Sequence, residues 1–246
     1  MAESAGKRVR ELLDEVDLAR TGPVTDAAAL LLRTIRGDGI IHTAGAGHSL
    51  AMVCETFYRA GGLAPVRPLW ETPVLPLAGA VPSTKAEREP GRGAAILHAA
   101  APQPHDVVVV FSTSGRNPYP VEIAAEAATL GVPVIAVTSL AASAQANDRS
   151  GSRIADHATV VLDTAVPPGD VVYPAPAART GAVSTVLGAY LWTLVLAELD
   201  DLATAEGLEL PLWTSSNVPG GDERNAGLLA RYGPRIPELG VPTDTA

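Results

Sequence analysis

Three adjacent hydroxyl residues, Ser112, Thr113 and Ser114, follow four consecutive valines in VVVVFSTSGRNPYPVEIAAEAATLG, residues 107–131. A buried strand entering a helix needs only a short turn, and Gly115 with Asn117-Pro118 already supplies one, so the hydroxyls call for another task. Hydroxyls beside a helix N-terminus suit an oxyanion. The first-turn N–H groups lack intrahelical partners, and they point along the positive end of the helix dipole. For any one of these residues taken alone, plain N-capping is the competing use.

Two other turns repeat the arrangement. TAGAGHSLAMVCETFYRAGG, beginning at Thr43, passes from an apolar run through a glycine-rich turn to Ser49 and a helical pattern, and VTSLAAS, 137–143, places Thr138, Ser139 and Ser143 after another apolar run. The elements that must carry these turns are legible as runs of strand length at 39–45, 65–70, 106–112, 133–139 and 159–165, most of them separated by about a dozen helix-like residues. Strands apolar on both faces that alternate with helices predict a parallel sheet covered on both sides. The expected fold class is α/β, a three-layer α/β/α sandwich with a five-stranded parallel sheet. In such a fold the strand C-termini deliver the three turns to one edge, where open α/β sheets bind ligands.

Helices are predicted over 3–20 and 24–36, the second behind a Thr25-Asp26 cap signal, and the Pro-rich AVPPGDVVYPAPA at 165–177 reads as a loop. The apolar stretch 180–199 is diluted by Ser184, Thr185, Gly188, Tyr190 and Thr193, which predicts a buried helix in a core or dimer interface and no membrane span. Residues after about Pro234 are expected to be poorly ordered. The division expected is 1–36 as N-terminal helices, 37–205 as the main domain and 206–246 as a C-terminal extension.

Composition narrows the function classes. The 246 residues are 47% hydrophobic and 18% charged, with a formal net charge of −9. That balance predicts a globular chain with no nucleic-acid partner, since neutralising a duplex needs clustered Lys and Arg. Small anions remain candidates, because a nest of N–H groups and hydroxyls binds phosphate without a basic surface. Gly45-Ala46-Gly47 lacks the third glycine of a dinucleotide fingerprint, Leu50 standing in its place, and there is no Walker A pattern. One cysteine, five histidines without paired ligand spacing and no apolar leader predict a cytoplasmic protein that needs no cofactor or metal.

Taken together, GAGHS and FSTSGRN resemble the two phosphate loops of the sugar isomerase (SIS) domain family, over about residues 24–205. With its SSNVPGGDERNAGLL segment the chain is most similar to standalone SIS proteins, which resemble an N-acetylglucosamine-6-phosphate dehydratase and, more distantly, the N-acetylmuramic acid 6-phosphate etherases. The resemblance implies that Ser49, Ser112 and Ser114 hold the phosphate with the backbone of Gly47 and His48, assisted by Thr113. Asn117 and Ser139 are further expected binding residues, and Asn217 is expected to reach the pocket from a lid or a partner subunit. The implied assembly is a homodimer or homotetramer.

Ring opening and removal of the C2 proton, acidified by the C1 aldehyde, require a carboxylate or imidazole at C2. Glu55, six residues after Ser49 on the helix that leaves the first loop, is the first candidate. His98 is the second, in a segment that also holds Glu87 and Glu89. The expected activity is dehydration of a phosphorylated amino sugar by C2 deprotonation and loss of the C3 hydroxyl. An aldose–ketose isomerase and a non-catalytic sugar-phosphate sensor are the alternatives.

Overall fold

The computed structural model describes residues 4–19 and 22–241. Two helices, α1 (Ala5–Ala19) and α2 (Pro23–Arg36), precede strand β1 (Ile41–Gly45), followed by α3 (Leu50–Thr56), β2 (Val66–Leu69), α4 (Ala80–Ala86) and α5 (Arg92–Ala100). Then come β3 (Val107–Phe111), α6 (Pro118–Thr129), β4 (Val134–Thr138), α7 (Leu140–Gln145) and β5 (Val160–Asp163). The five strands form one parallel sheet in the order β2-β1-β3-β4-β5. Every residue of β1, β3 and β4 is buried, as expected of central parallel strands with helices on both faces. Helix α2 packs on the long α8 (Ser184–Ala205), which also meets α3, while α5 and α6 pair with each other.

Three local expectations change. Helix α2 starts at Pro23, whose fixed φ suits a first helical position, and the Thr25 hydroxyl donates to Glu198 on α8 instead of capping. Within the Pro-rich stretch, β6 (Val171–Tyr173) pairs antiparallel with β7 (Thr180–Ala182), so α8 begins only at Ser184. Towards the C-terminus, after α9 (Gly221–Tyr232), Ile236 is fully buried with Tyr232, Trp213, Ile40 and Ala64 in a second hydrophobic cluster. Nearby Glu238 accepts from Arg67 on β2 at 3.2 Å, so residues 234–241 pack against the domain, and 242–246 lie outside the described residues. Among the described residues no helix is long and apolar enough to cross a membrane.

Candidate functional site

At the C-terminal edge of the sheet a cleft of about 690 Å³ opens between the turns that follow β1 and β3. The first turn is forced by close packing: a Cβ on Gly45 would lie 2.9 Å from the Ser49 carbonyl oxygen, and Gly47 adopts φ 58°. His48 and Ser49 therefore face the cleft from a single 3₁₀ turn, with the Ser49 N–H donating to Ala46 O at 3.1 Å.

The second turn is braced from behind. The Ser112 hydroxyl oxygen accepts from the Gly115 N–H at 3.1 Å, and the Thr113 carbonyl accepts from the Ser139 N–H at 3.0 Å and the Thr138 hydroxyl at 3.2 Å. Gly115, at φ 59°, has little room for a side chain, since its Cβ would sit 3.1 Å from Thr138 Oγ1. Ser112, Thr113, Ser114 and Asn117 all line the cleft with His48 and Ser49. Among the described residues, the hydroxyls of Ser49, Thr113 and Ser114 make no hydrogen bond, which leaves them for a ligand.

The third turn has a different task. Ser139 is fully buried, donating to Val166 O at 2.6 Å and capping α7 by accepting from the Ala142 N–H at 3.0 Å. Thr138 and Ser139 thus support the Thr113 carbonyl, and neither lines the cleft.

The expected proton-transfer residues lie outside it. Six residues of helix, at a rise of about 1.5 Å each, carry Glu55 about 9 Å along α3 from Ser49, and its carboxylate pairs with Arg59. His98 is mostly exposed on α5 and meets Glu126 of α6 at 3.0 Å. Asn217 is exposed in the loop before α9, its N–H donating to Ser215 Oγ, and does not line the cleft.

Two carboxylates do line the cleft, Glu87 at the C-terminus of α4 and Asp170. The Asn117 amide donates to Glu87 Oε1 at 2.9 Å, while Asn117 Oδ1 accepts from Arg149 at 2.7 Å, which fixes the orientation of the amide. The other oxygen, Oε2, lies 3.5 Å from where a Cβ on Gly47 would stand, so the carboxylate overhangs the first turn. Burial pushes the Glu87 carboxyl above its usual range, opposed by the charges of Arg88, Arg149 and Arg116. Asp170, at the far wall, accepts from the Ser184 N–H at 2.7 Å and the Ser184 hydroxyl at 2.6 Å, anchoring the start of α8 beside the cleft.

Sequence reasoning named Glu87 only among the neighbours of His98, and passed over Arg116 and Asp170, which also line the cleft. Arg116 was within reach, because it completes the FSTSGRN turn. Asp170 had no local signal, since its partner is 14 residues away.

The family model described as SIS domain matches residues 6–139. A UPF0309 protein of Listeria monocytogenes serotype 4b is 36% identical over 222 residues, covering 89% of this chain and 90% of its own length. A UPF0309 protein of Streptomyces coelicolor is 37% identical over 236 residues, 92% of each chain. The phosphoheptose isomerase of Neisseria gonorrhoeae shares the fold, with a TM-score of 0.53 at 20% identity over 80% of this chain and 94% of that one.

Proposed function

The chain belongs to the SIS domain family, and from that membership we propose that its cleft binds a phosphorylated amino sugar, N-acetylglucosamine 6-phosphate, and eliminates water across C2 and C3. One observation carries this reading. Glu87, raised by burial, overhangs the first turn beside three uncommitted hydroxyls, with Oε1 held by Asn117 and Oε2 without a hydrogen bond among the described residues.

Phosphate holds the sugar but does not transform it. In the open-chain aldehyde the C1 carbonyl acidifies the C2 proton, and Glu87 takes that proton. The electron pair of the C2–H bond forms a C2–C3 double bond as the C3–O bond breaks. Glu87 then returns the proton to the departing hydroxide, so the atoms balance as one water. A carboxyl with a raised pKa suits a group that must accept a proton and give it back. Met52, Phe111 and Val137 give the cleft an apolar wall that accommodates an acetyl methyl. An acetamido nitrogen at C2 also bars the simple formation of a ketose, while elimination remains open. The reading includes a homodimer or homotetramer as the working assembly, to be checked by sedimentation.

Incubation with N-acetylglucosamine 6-phosphate, followed by ultraviolet absorbance and mass, tests it. The expected product absorbs as a conjugated aldehyde and is lighter by one water. An isobaric product would replace elimination with isomerisation, and binding without turnover would make the cleft a sensor.

A further inference from the structure

Beside the hydroxyl turn stands a guanidinium with few acceptors. Arg116 lines the cleft, its Nη1 donates to Asn147 O at 3.2 Å, and its Nε is sealed from solvent without any partner. That is the one hydrogen bond its side chain makes among the described residues, out of five N–H donors. The backbone beneath it is pinned. The Arg116 carbonyl accepts from the Ser150 hydroxyl at 2.8 Å, and the Gly115 carbonyl accepts from the Ile154 N–H at 3.0 Å. The sealed Nε is out of reach of a molecule in the open cleft, so the donors free for a ligand are the second N–H of Nη1 and the two of Nη2.

Charge gives the same indication. The guanidiniums of Arg88, Arg116 and Arg149 all act on the carboxylate of Glu87, and of the three only Arg116 lines the cleft, whose other carboxylate, Asp170, is engaged by the Ser184 N–H and hydroxyl. Arg149 is itself held below its usual value, first by burial and then by the repulsion of Arg116 and Arg88. A phosphate monoester above its second ionisation, near pH 6, brings two negative charges to this cluster of guanidiniums.

We propose that Arg116 binds the substrate phosphate directly and makes the cleft selective for a dianionic phosphate ester over a monoanionic or neutral sugar. This rests on the sugar-phosphate reading above, and adds a fixed charge to a site whose other ligands are hydroxyls and N–H groups.

Binding of N-acetylglucosamine 6-phosphate is compared at pH 8 with that of its 6-sulfate, similar in shape but singly charged, in the wild-type chain and in Arg116→Gln and Arg116→Lys. The wild type is expected to favour phosphate by at least about tenfold, and Arg116→Gln to lose about 10- to 100-fold in phosphate affinity together with most of that preference. Arg116→Lys should fall between, keeping charge without the planar fork. Equal wild-type affinity for both esters, or undiminished phosphate binding in Arg116→Gln, overturns the role of Arg116 and leaves the sugar-phosphate reading standing. A wild-type chain that binds neither ester nor inorganic phosphate overturns both. Should Arg116→Gln not fold, the ester comparison in the wild type and in Arg116→Lys decides.

Discussion

Burial lifts the Glu87 carboxyl above its ordinary value of 4.5, and three arginines restrain the rise. The base form of this group therefore appears at higher pH than in a free glutamate, and the acidic limb of kcat/KM is expected above pH 4.5. Glu87→Gln should abolish that limb and slow exchange of the substrate C2 proton with heavy water by about a hundred- to ten-thousand-fold, with binding retained. Glu55→Gln is the control, since that carboxylate pairs with Arg59 outside the cleft, and its exchange should stay near wild type. If Glu55→Gln stops exchange and Glu87→Gln does not, the roles are reversed. Ser114→Ala should weaken sugar-phosphate binding by about 1.5–3 kcal/mol, as a lost hydrogen bond to a charged group does, with folding unchanged. Calorimetric titration of the two proteins measures both. At this scale the hydroxyl turns were readable because their chemistry lies in contiguous residues. Glu87 was not, because its place in the cleft comes from Asn117, 30 residues away.

Among the elements, the crossing of α5 and α6 governs how Glu87 is presented. Gly93 meets α6 so closely that an added Cβ would fall on the Tyr119 carbonyl oxygen, and the Tyr119 N–H in turn holds the Glu87 carbonyl at 3.2 Å. Gly93→Ala must push the two helices apart, and overpacking of this kind costs about 1–3 kcal/mol. The expected outcome is a lower denaturation midpoint together with reduced turnover, whereas Gly131→Ala, on the loop after α6 at φ 72°, should lower the midpoint through backbone strain and leave turnover unchanged. The three central strands were legible because their runs are apolar on both faces, and the two edge strands because short apolar runs there alternate with helix-like stretches. The β6-β7 hairpin was not: each strand has three residues, β7 is exposed throughout, and neither offers an apolar run against a polar background. Thr138 and Ser139 show the limit of reading a turn by composition, because the Thr138 hydroxyl is spent on the Thr113 carbonyl and the Ser139 hydroxyl on Val166 O and the Ala142 N–H.

For the molecule as a whole, the end of the sheet opposite the cleft is tied by Asp106. Its carboxylate accepts from the Ile40 N–H at 2.7 Å, the Gln103 N–H at 2.8 Å and faces His42 Nε2 at 3.1 Å. Burial alone would raise this carboxyl, but these partners hold it below its ordinary value of 3.8. The stability it lends is thus full above pH 3.8 and is lost as pH falls through the lowered folded value. Asp106→Ala should cost about 1–3 kcal/mol near neutrality for a buried donor left without its acceptor, and the gap to wild type should narrow in acid, as urea titrations at several pH values would show. The C-terminal cluster around Trp213 and Ile236 was hidden in the sequence because its partners, Ile40 and Ala64, are remote. The cleft itself is walled by residues from the turns after β1 and β3, from Gln145 and Ala146, from Pro168 to Asp170 and from the start of α8. No contiguous piece of the chain owns a binding surface, so occupancy draws on the global unfolding equilibrium and not on a local one. A bound sugar phosphate at a hundred times its Kd should therefore raise the stability of the entire domain by about 2.7 kcal/mol. Protease resistance should rise as much at α9 as at Ser114, and a fragment ending before Ser184 should capture no ligand at all.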